Sequence, residues 1–491
     1  LDHSESRVVL LSTADQLAKV VSLWERLPKL EGAVVFEDIP SDDARIVTLS
    51  SLIGRDPLTD AETAEFEAAA GAVAPGDLAS IIYTSGTTGT PKGVMLTHGN
   101  FASNVAAGGI EVTTGDVALS FLPLSHVAER TADYTYYEGG ATVAYAESME
   151  AVPVNMREVR PTLAFAVPRF FEKVHEKVMT AIATASPVRR RLFEWALSVG
   201  KEHLPYRLEK RPPPPGLRCR HFVADRLVFS KLRGRLGGRF RLFVSGAAPL
   251  ARHLAEFFAI VGVPVLEAYG LTESSPVIAM NTLDAWKIGT VGKPIRGVEV
   301  RLADDGEILV RGPNVMLGYY KAPEATAEAV RDGWLHTGDV GAIDADGFLS
   351  IIDRKKDLFK TSGGKYVAPA PIENQIKTSA YVSLAMVVAE GRNFPSAVIV
   401  PDFDKLKAWA TAHDVTFRGH SELVADERVR KFMLDEVVRA TAGLSRFEQP
   451  KKILLLDREL SIEQGEITPT MKVRRRAVEM RFARQIDALY H

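Results

Sequence analysis

Through roughly residue 290, strand-length apolar runs alternate with stretches of helical period, which restricts the chain to layered α/β architectures. Val8–Leu11 reads as a buried strand, and Ala33–Phe36 as another. Between them Ala14–Trp24 reads as an amphipathic helix presenting Ala14, Leu17, Val20, Val21 and Trp24. Arg241–Val244, the helix Leu250–Ile260 and Pro264–Leu266 repeat the pattern. From about Gly289 the texture changes to short strands around glycine turns. Val298–Leu302 and Glu307–Val310 flank Asp304-Asp305-Gly306, and Val340–Ile343 and Phe348–Ile352 flank Asp344–Gly347, so a β-rich subdomain is expected there. The charged cluster Arg354-Lys355-Lys356-Asp357 then separates this block from a shorter α+β segment. A chain of 491 residues exceeds one hydrophobic core, and the expected division is 1–353 and 354–491. The fold class is therefore α/β: a large layered domain with a β-rich subdomain, plus a small α+β C-terminal domain.

Composition excludes several classes. Net charge is −2, which gives no basis for nucleic-acid binding. No run of about 18 apolar residues exists to cross a bilayer. The single cysteine, Cys219, rules out an internal disulfide and fits a reducing cytoplasm. The opening LDHSESRVVLLS lacks the charged head and apolar segment of a signal peptide. Only residues 187–241 depart from the neutral average, with fifteen basic against four acidic residues. Leu192, Trp195, Ala196 and Val199 share a helical face there, read either as a stripe packed on its own domain or as a peripheral membrane contact.

Chemistry concentrates in four places. The first is YTSGTTGTPKG, Tyr83 to Gly93, between the apolar runs Leu78–Ile82 and Val94–Leu96. Four Thr, one Ser, three Gly and Lys92 offer hydroxyls, close backbone approach and a positive charge, the makings of a polyphosphate loop. Pro91 before the Lys and Gly93 after it differ from the common nucleotide-triphosphatase loop, which needs Gly-Lys followed by Ser or Thr. The second is VSGAAPL, Val244 to Leu250, with EAYGLTES, Glu267 to Ser274. Small residues after a strand let a flat ligand lie against backbone, and Tyr269 supplies an aromatic face. Thr272 adds a hydroxyl, and Glu273 a carboxylate of the kind that holds Mg²⁺ beside phosphates. The third is WLHTGDVG with IDRKKDLFKTSGGKYVAP, where Asp339 and Arg354 could grip the two hydroxyls of a ribose. The fourth is GEITPTMKVRRR, Gly465 to Arg476.

In this order the motifs resemble those of the adenylate-forming superfamily: acyl-CoA synthetases, peptide-synthetase adenylation domains and beetle luciferase. The resemblance covers nearly the whole chain. It implies that Thr84, Ser85, Gly86, Thr87, Thr88, Gly89 and Lys92 hold the ATP phosphates. It places the nucleotide against Gly246, Ala247, Ala248 and the segment Glu267, Ala268, Tyr269, Gly270, with Asp339 and Arg354 on the ribose. Thr272 and Glu273 match its Thr-Glu pair, with Glu273 as the metal carboxylate. Lys472, preceded by Thr468-Pro469-Thr470, matches its catalytic lysine on a mobile small domain. Lys356 falls at its hinge, and Gly363 and Gly364 in the segment that approaches the pantetheine of coenzyme A.

FLPLSHVAER, Phe121 to Arg130, sets His126 where the family has an aromatic or His near the acyl carboxylate. VPRFFEKV, Val167 to Val174, is similar to the long-chain branch. The implied activity is an AMP-forming medium- or long-chain fatty acyl-CoA synthetase using fatty acid, ATP, Mg²⁺ and coenzyme A. Alternatives are transfer of the acyl group to a carrier protein, a membrane-scaffolding role through the basic region, and a truncated, non-catalytic nucleotide- or acyl-binding protein. The truncation is expected because the chain opens without Met inside a β-α-β pattern, whereas relatives carry structure upstream.

Overall fold

The computed structural model describes residues 1–491 except 55–56, 85–90, 356–357, 363–365, 462, 468–472 and 491, and except the side chains of 360 and 366. Its centre is a seven-stranded sheet. The order is Lys293–Pro294, Val277–Met280, Val265–Gly270, Leu242–Ser245, Leu163–Ala166, Val117–Ser120 and Thr142–Tyr145. The last five run parallel, and the first two add an antiparallel edge. Parallel pairing requires crossovers, here supplied by helices such as Val127–Glu138 and Arg252–Val261. Strands covered on both faces lose the alternation of a half-exposed sheet, and Leu163–Ala166 and Leu242–Ser245 are buried at every residue.

At the N-terminus Val8–Leu11, Gly32–Val35 and Ile46–Thr48 form a separate parallel sheet. The first helix stops at Val21, short of the expected Trp24. Trp24 opens a 3₁₀ turn instead, with its indole N–H donating to Leu30 O at 3.2 Å. The expected β-rich block is a five-stranded sheet in which the long strand Trp334–Ile343 pairs with Glu307–Arg311, Val330–Arg331 and Leu349–Arg354.

Beyond residue 358, Val382–Val388, Ser396–Pro401 and Lys452–Leu455 form a three-stranded sheet. Helices including Glu427–Thr441 pack with it into a hydrophobic cluster drawn entirely from residues 359–490. The basic region folds as the helix Pro187–Leu208, then Pro215–Ala224, a π-helical turn Asp225–Phe229 and Ser230–Arg235. Ala196 and Val199 from the expected apolar stripe are buried in the main core with Phe193 and Leu204, so most of that stripe packs on its own domain.

Candidate active site

Leu78–Thr84 and Lys92–Thr97 pair antiparallel with Thr84 opposite Lys92, so the Ser-Thr-Gly segment joins the two strands of a hairpin. Gly93 packs closely there: a Cβ would lie 2.8 Å from Ile81 Cγ2, so any larger residue would displace that side chain. Ser85, Gly86, Thr87, Thr88 and Gly89 lie outside the described residues; Thr84 and Lys92 are half-buried at the base of the segment. The short strand Gly318–Tyr319 adds to the Lys92 side of the hairpin. Lys92 Nζ stands 5.0 Å from the centroid of the Tyr319 ring, and the Tyr319 hydroxyl donates to Glu273 Oε1 at 2.7 Å. One side chain thus links Lys92 to the Thr272-Glu273 pair. Thr272 and Glu273 sit in a 3₁₀ turn, held by Met316 N–H donating to Glu273 O at 2.9 Å. Burial, reinforced by the Glu273 carboxylate, pushes the Tyr319 hydroxyl well above its ordinary range, so it remains a donor. Sequence reading missed Tyr319, because nothing in Gly-Tyr-Tyr announces a partner 46 residues upstream.

The second group forms where the strand Leu242–Ser245 ends level with Glu267 and its parallel neighbour runs on to Gly270. Gly246 approaches so closely that a Cβ would lie 3.3 Å from Ala268 O. Ala247 adopts φ 67°, a left-handed conformation uncommon for a residue with a side chain, and with Ala248 it is exposed. Gly270 admits no side chain, since its Cβ would fall 1.7 Å from Pro276 O. Glu267 is buried and does not face outward as a ligand group; Gly289 N–H points at its Oε1 at 3.4 Å. Burial raises its carboxyl to about 7, against the backbone N–H groups of Gly289 and Leu250, which favour the charged form. Its side chain therefore braces the floor behind the Gly246–Ala248 turn.

Asp339 and Arg354 lie opposite each other across paired strands. Arg354 Nε is 3.2 Å from Asp339 Oδ1, while the buried Tyr269 donates its hydroxyl to Asp339 Oδ2 at 2.6 Å. The aromatic residue of the second motif and the Asp–Arg pair of the third are thus one cluster. Behind it, buried Glu307 accepts Gly338 N–H at 3.0 Å and Lys355 Nζ–H at 2.8 Å. Burial would raise the Glu307 carboxyl, but hydrogen bonds from Lys355, Gly338 and His336 outweigh it and hold the group below its ordinary value. Lys355 also pairs with Asp305 at 2.6 Å, fixing the residue just before the expected hinge. Lys356, Gly363 and Gly364 lie outside the described residues.

His126 is exposed and caps the helix Val127–Glu138, its Nδ1 accepting Ala128 N–H at 3.2 Å. This gives it a structural role in addition to the expected position near an acyl carboxylate. Two residues into that helix, buried Glu129 Oε1 accepts Ser120 Oγ–H at 2.9 Å and Phe121 N–H at 3.0 Å, pinning the segment that carries His126. Burial raises Glu129 to about 7. Phe121 meets Phe170 at 5.6 Å between ring centroids, so FLPLSHVAER and VPRFFEKV adjoin, as neighbours in an aromatic cluster with Phe171 and Phe243.

Lys472 lies outside the described residues, but the flanking Ile467 and Val473 form an antiparallel bridge. Fully buried Glu466 anchors that base. It accepts two hydrogen bonds from Arg458, at 2.9 and 2.6 Å, and its carbonyl accepts Arg474 N–H at 2.7 Å. Among the described residues no three His, Cys, Asp or Glu side chains form a metal cage, and no helix is long and apolar enough to cross a membrane.

Two family models match the chain: AMP-binding enzyme over residues 1–320, and AMP-binding enzyme C-terminal domain over residues 356–491. The long-chain-fatty-acid–CoA ligase FadD15 of Mycobacterium bovis is 38% identical over 445 residues, covering 89% of this chain and 74% of the relative. The peroxisomal long chain acyl-CoA synthetase 7 of Arabidopsis thaliana is 38% identical over 439 residues, covering 85% and 61%. The crystal structure of the anthranilate CoA ligase AuaEII in complex with anthranoyl-AMP superposes with a TM-score of 0.68 at 20% identity, covering 99% of this chain and 80% of that one, a likeness of fold. The chain belongs to the AMP-binding enzyme family, whose main region and C-terminal domain it carries in sequence.

Proposed function

We propose that the protein is an AMP-forming long-chain fatty-acid–CoA ligase. Relatives named as a long-chain-fatty-acid–CoA ligase and a long chain acyl-CoA synthetase align over most of its length. The observation that carries the reading at the site is the chain Lys92–Tyr319–Glu273, which joins a phosphate-loop cation to a carboxylate suited to Mg²⁺. In the first half-reaction a fatty carboxylate attacks the α-phosphorus of ATP and pyrophosphate leaves; in the second, the thiol of coenzyme A attacks the acyl carbon and AMP leaves. Lys92 with the hydroxyls of Thr84, Ser85, Thr87 and Thr88 holds the β- and γ-phosphates. Gly246, Ala247, Ala248 and Tyr269 receive the adenine, and Asp339 with Arg354 the ribose.

A hard oxygen ligand fits Mg²⁺, which commonly takes one or two carboxylates plus substrate phosphates. Tyr319 occupies only Oε1 of Glu273, and among the described residues Oε2 accepts no hydrogen bond. When bound, the ion would neutralise phosphate charge. Lys472 lies on the smaller of two domains, 1–353 and 354–491, and stabilises charge developing on the α-phosphorus. Rotation about Lys356 then withdraws it and brings Gly363 and Gly364 to coenzyme A, so that one site serves two steps. His126 stands near the acyl carboxylate. The single cysteine favours a cytoplasmic setting.

The test is AMP formation across a fatty-acid chain-length series, with and without coenzyme A, beside ATP–pyrophosphate exchange. Exchange without coenzyme-A-dependent AMP release would refute the CoA-ligase reading in favour of a carrier-protein acceptor. Absence of both would refute adenylation.

A further inference from the structure

The helical rod Pro215–Arg235 has two dissimilar sides. Leu217, Ala224, Val228 and Phe229 are buried in the main core. On the other side run two adjoining rows at four-residue spacing, Arg218–Phe222–Arg226 and Cys219–Val223–Leu227, with Lys231 beyond the π-helical turn. Phe222 is 68% exposed, Leu227 41% and Val223 39%. Arg218, Arg226, Lys231 and Arg235 are exposed, and none has a carboxylate partner among the described residues. The rod's one acidic residue, Asp225, is taken by Arg233 through bonds of 2.6 and 2.9 Å. An outward face of unpaired cations interleaved with exposed aromatic and aliphatic side chains, and without a free carboxylate, matches an interfacial helix.

We infer that this face docks on an anionic lipid bilayer. Phe222, Val223 and Leu227 enter the headgroup region, and Arg218, Arg226, Lys231 and Arg235 meet lipid phosphates. The occupant is a membrane and not an acidic protein because Phe222, Val223 and Leu227 lie together on the convex outer side of a helix, flanked by cations. The inference deepens the proposed ligase reading and rests on it in one respect: a long-chain fatty acid is delivered from a lipid phase. It also narrows the sequence expectation, placing the contact of residues 187–241 on Pro215–Arg235 and not on the stripe of Pro187–Leu208.

Cys219, exposed within this face and the sole cysteine of the chain, takes an environment-sensitive fluorophore. Its emission should shift to the blue with phosphatidylglycerol vesicles and stay unchanged with phosphatidylcholine vesicles. In co-sedimentation of the unlabelled chain, Arg226→Gln should weaken partitioning about fivefold, the equivalent of one cation at a charged surface. Phe222→Ser should weaken it about tenfold, while AMP formation from detergent-dispersed fatty acid stays at the unmodified level in both variants. Equal partitioning onto both vesicle types, or partitioning indifferent to Phe222→Ser and Arg226→Gln, overturns the inference. Binding that behaves as expected in a chain that forms no AMP overturns the ligase reading alone.

Discussion

Replacing Tyr319 by Phe isolates the link between Lys92 and the Glu273 carboxylate. The ring remains under Lys92, retaining a cation–π contact of about 0.5–1 kcal/mol. The 2.7 Å hydrogen bond to Glu273 Oε1 is lost. A hydrogen bond to a charged group contributes about 1.5–3 kcal/mol, and each 1.4 kcal/mol is about tenfold. If the hydroxyl orients Glu273 towards Mg²⁺ and the phosphates, kcat/KM for ATP should fall about 10- to 100-fold, with the Mg²⁺ dependence displaced to higher concentration. KM for the fatty acid should not change, since the proposal gives neither Tyr319 nor Glu273 a contact with the acyl group. The assay is ATP–pyrophosphate exchange titrated in turn with ATP, Mg²⁺ and acid. Tyr319→Ala, which also removes the ring, should lose a further two- to fivefold or so. Unchanged ATP and Mg²⁺ dependence in Tyr319→Phe would refute the idea that this hydroxyl sets the carboxylate.

Three other outcomes are expected. Burial raises Glu129 and Glu267 from 4.5 to about 7, so the folded chain holds protons that the unfolded chain releases. These groups therefore stabilise the fold fully below pH 4.5, and their contribution, on the order of 3 kcal/mol each, is lost as pH rises through about 7; denaturant midpoints measured across that window should fall less steeply in Glu267→Gln. Glu466→Gln keeps one acceptor oxygen but removes the buried charge that Arg458 and Arg481 share, and should destabilise the C-terminal part by about 1–3 kcal/mol; thermal unfolding should show it, together with slower pyrophosphate exchange from displacement of the segment bearing Lys472. Gly270→Ala drives a Cβ to 1.7 Å from a backbone oxygen and should cost about 3 kcal/mol or more, seen as loss of soluble, cooperatively unfolding protein.

Much of the site was legible because its chemistry is local in sequence. The hairpin around the Ser-Thr-Gly segment follows from apolar runs on both sides of it, and Asp339 and Arg354 belong to adjacent strands whose turn fixes their register. Tyr319, Glu307 and Glu466 were not legible, since each acts on a partner that no spacing rule connects to it. Glu307 left a faint signal, a carboxylate at the head of the apolar run Ile308–Val310. That strand is buried at four successive residues, so no alternation told which way the side chain turned.

Periodicity by itself determined the α/β class and the order of the elements, because strand and helix periods and turn composition are local properties; the groups proposed for phosphate, adenine and ribose came from the resemblance of the motifs to a family. Tertiary structure alone decided which side chains meet. It turned Glu267 inward as a brace, gave His126 a capping role, and joined Tyr269 to Asp339 and Tyr319 to Glu273. It also buried Ala196 and Val199 while leaving Phe222 in the open. Burial depends on what the rest of the chain lays against a surface, and a helical stripe looks the same in sequence whichever way it faces.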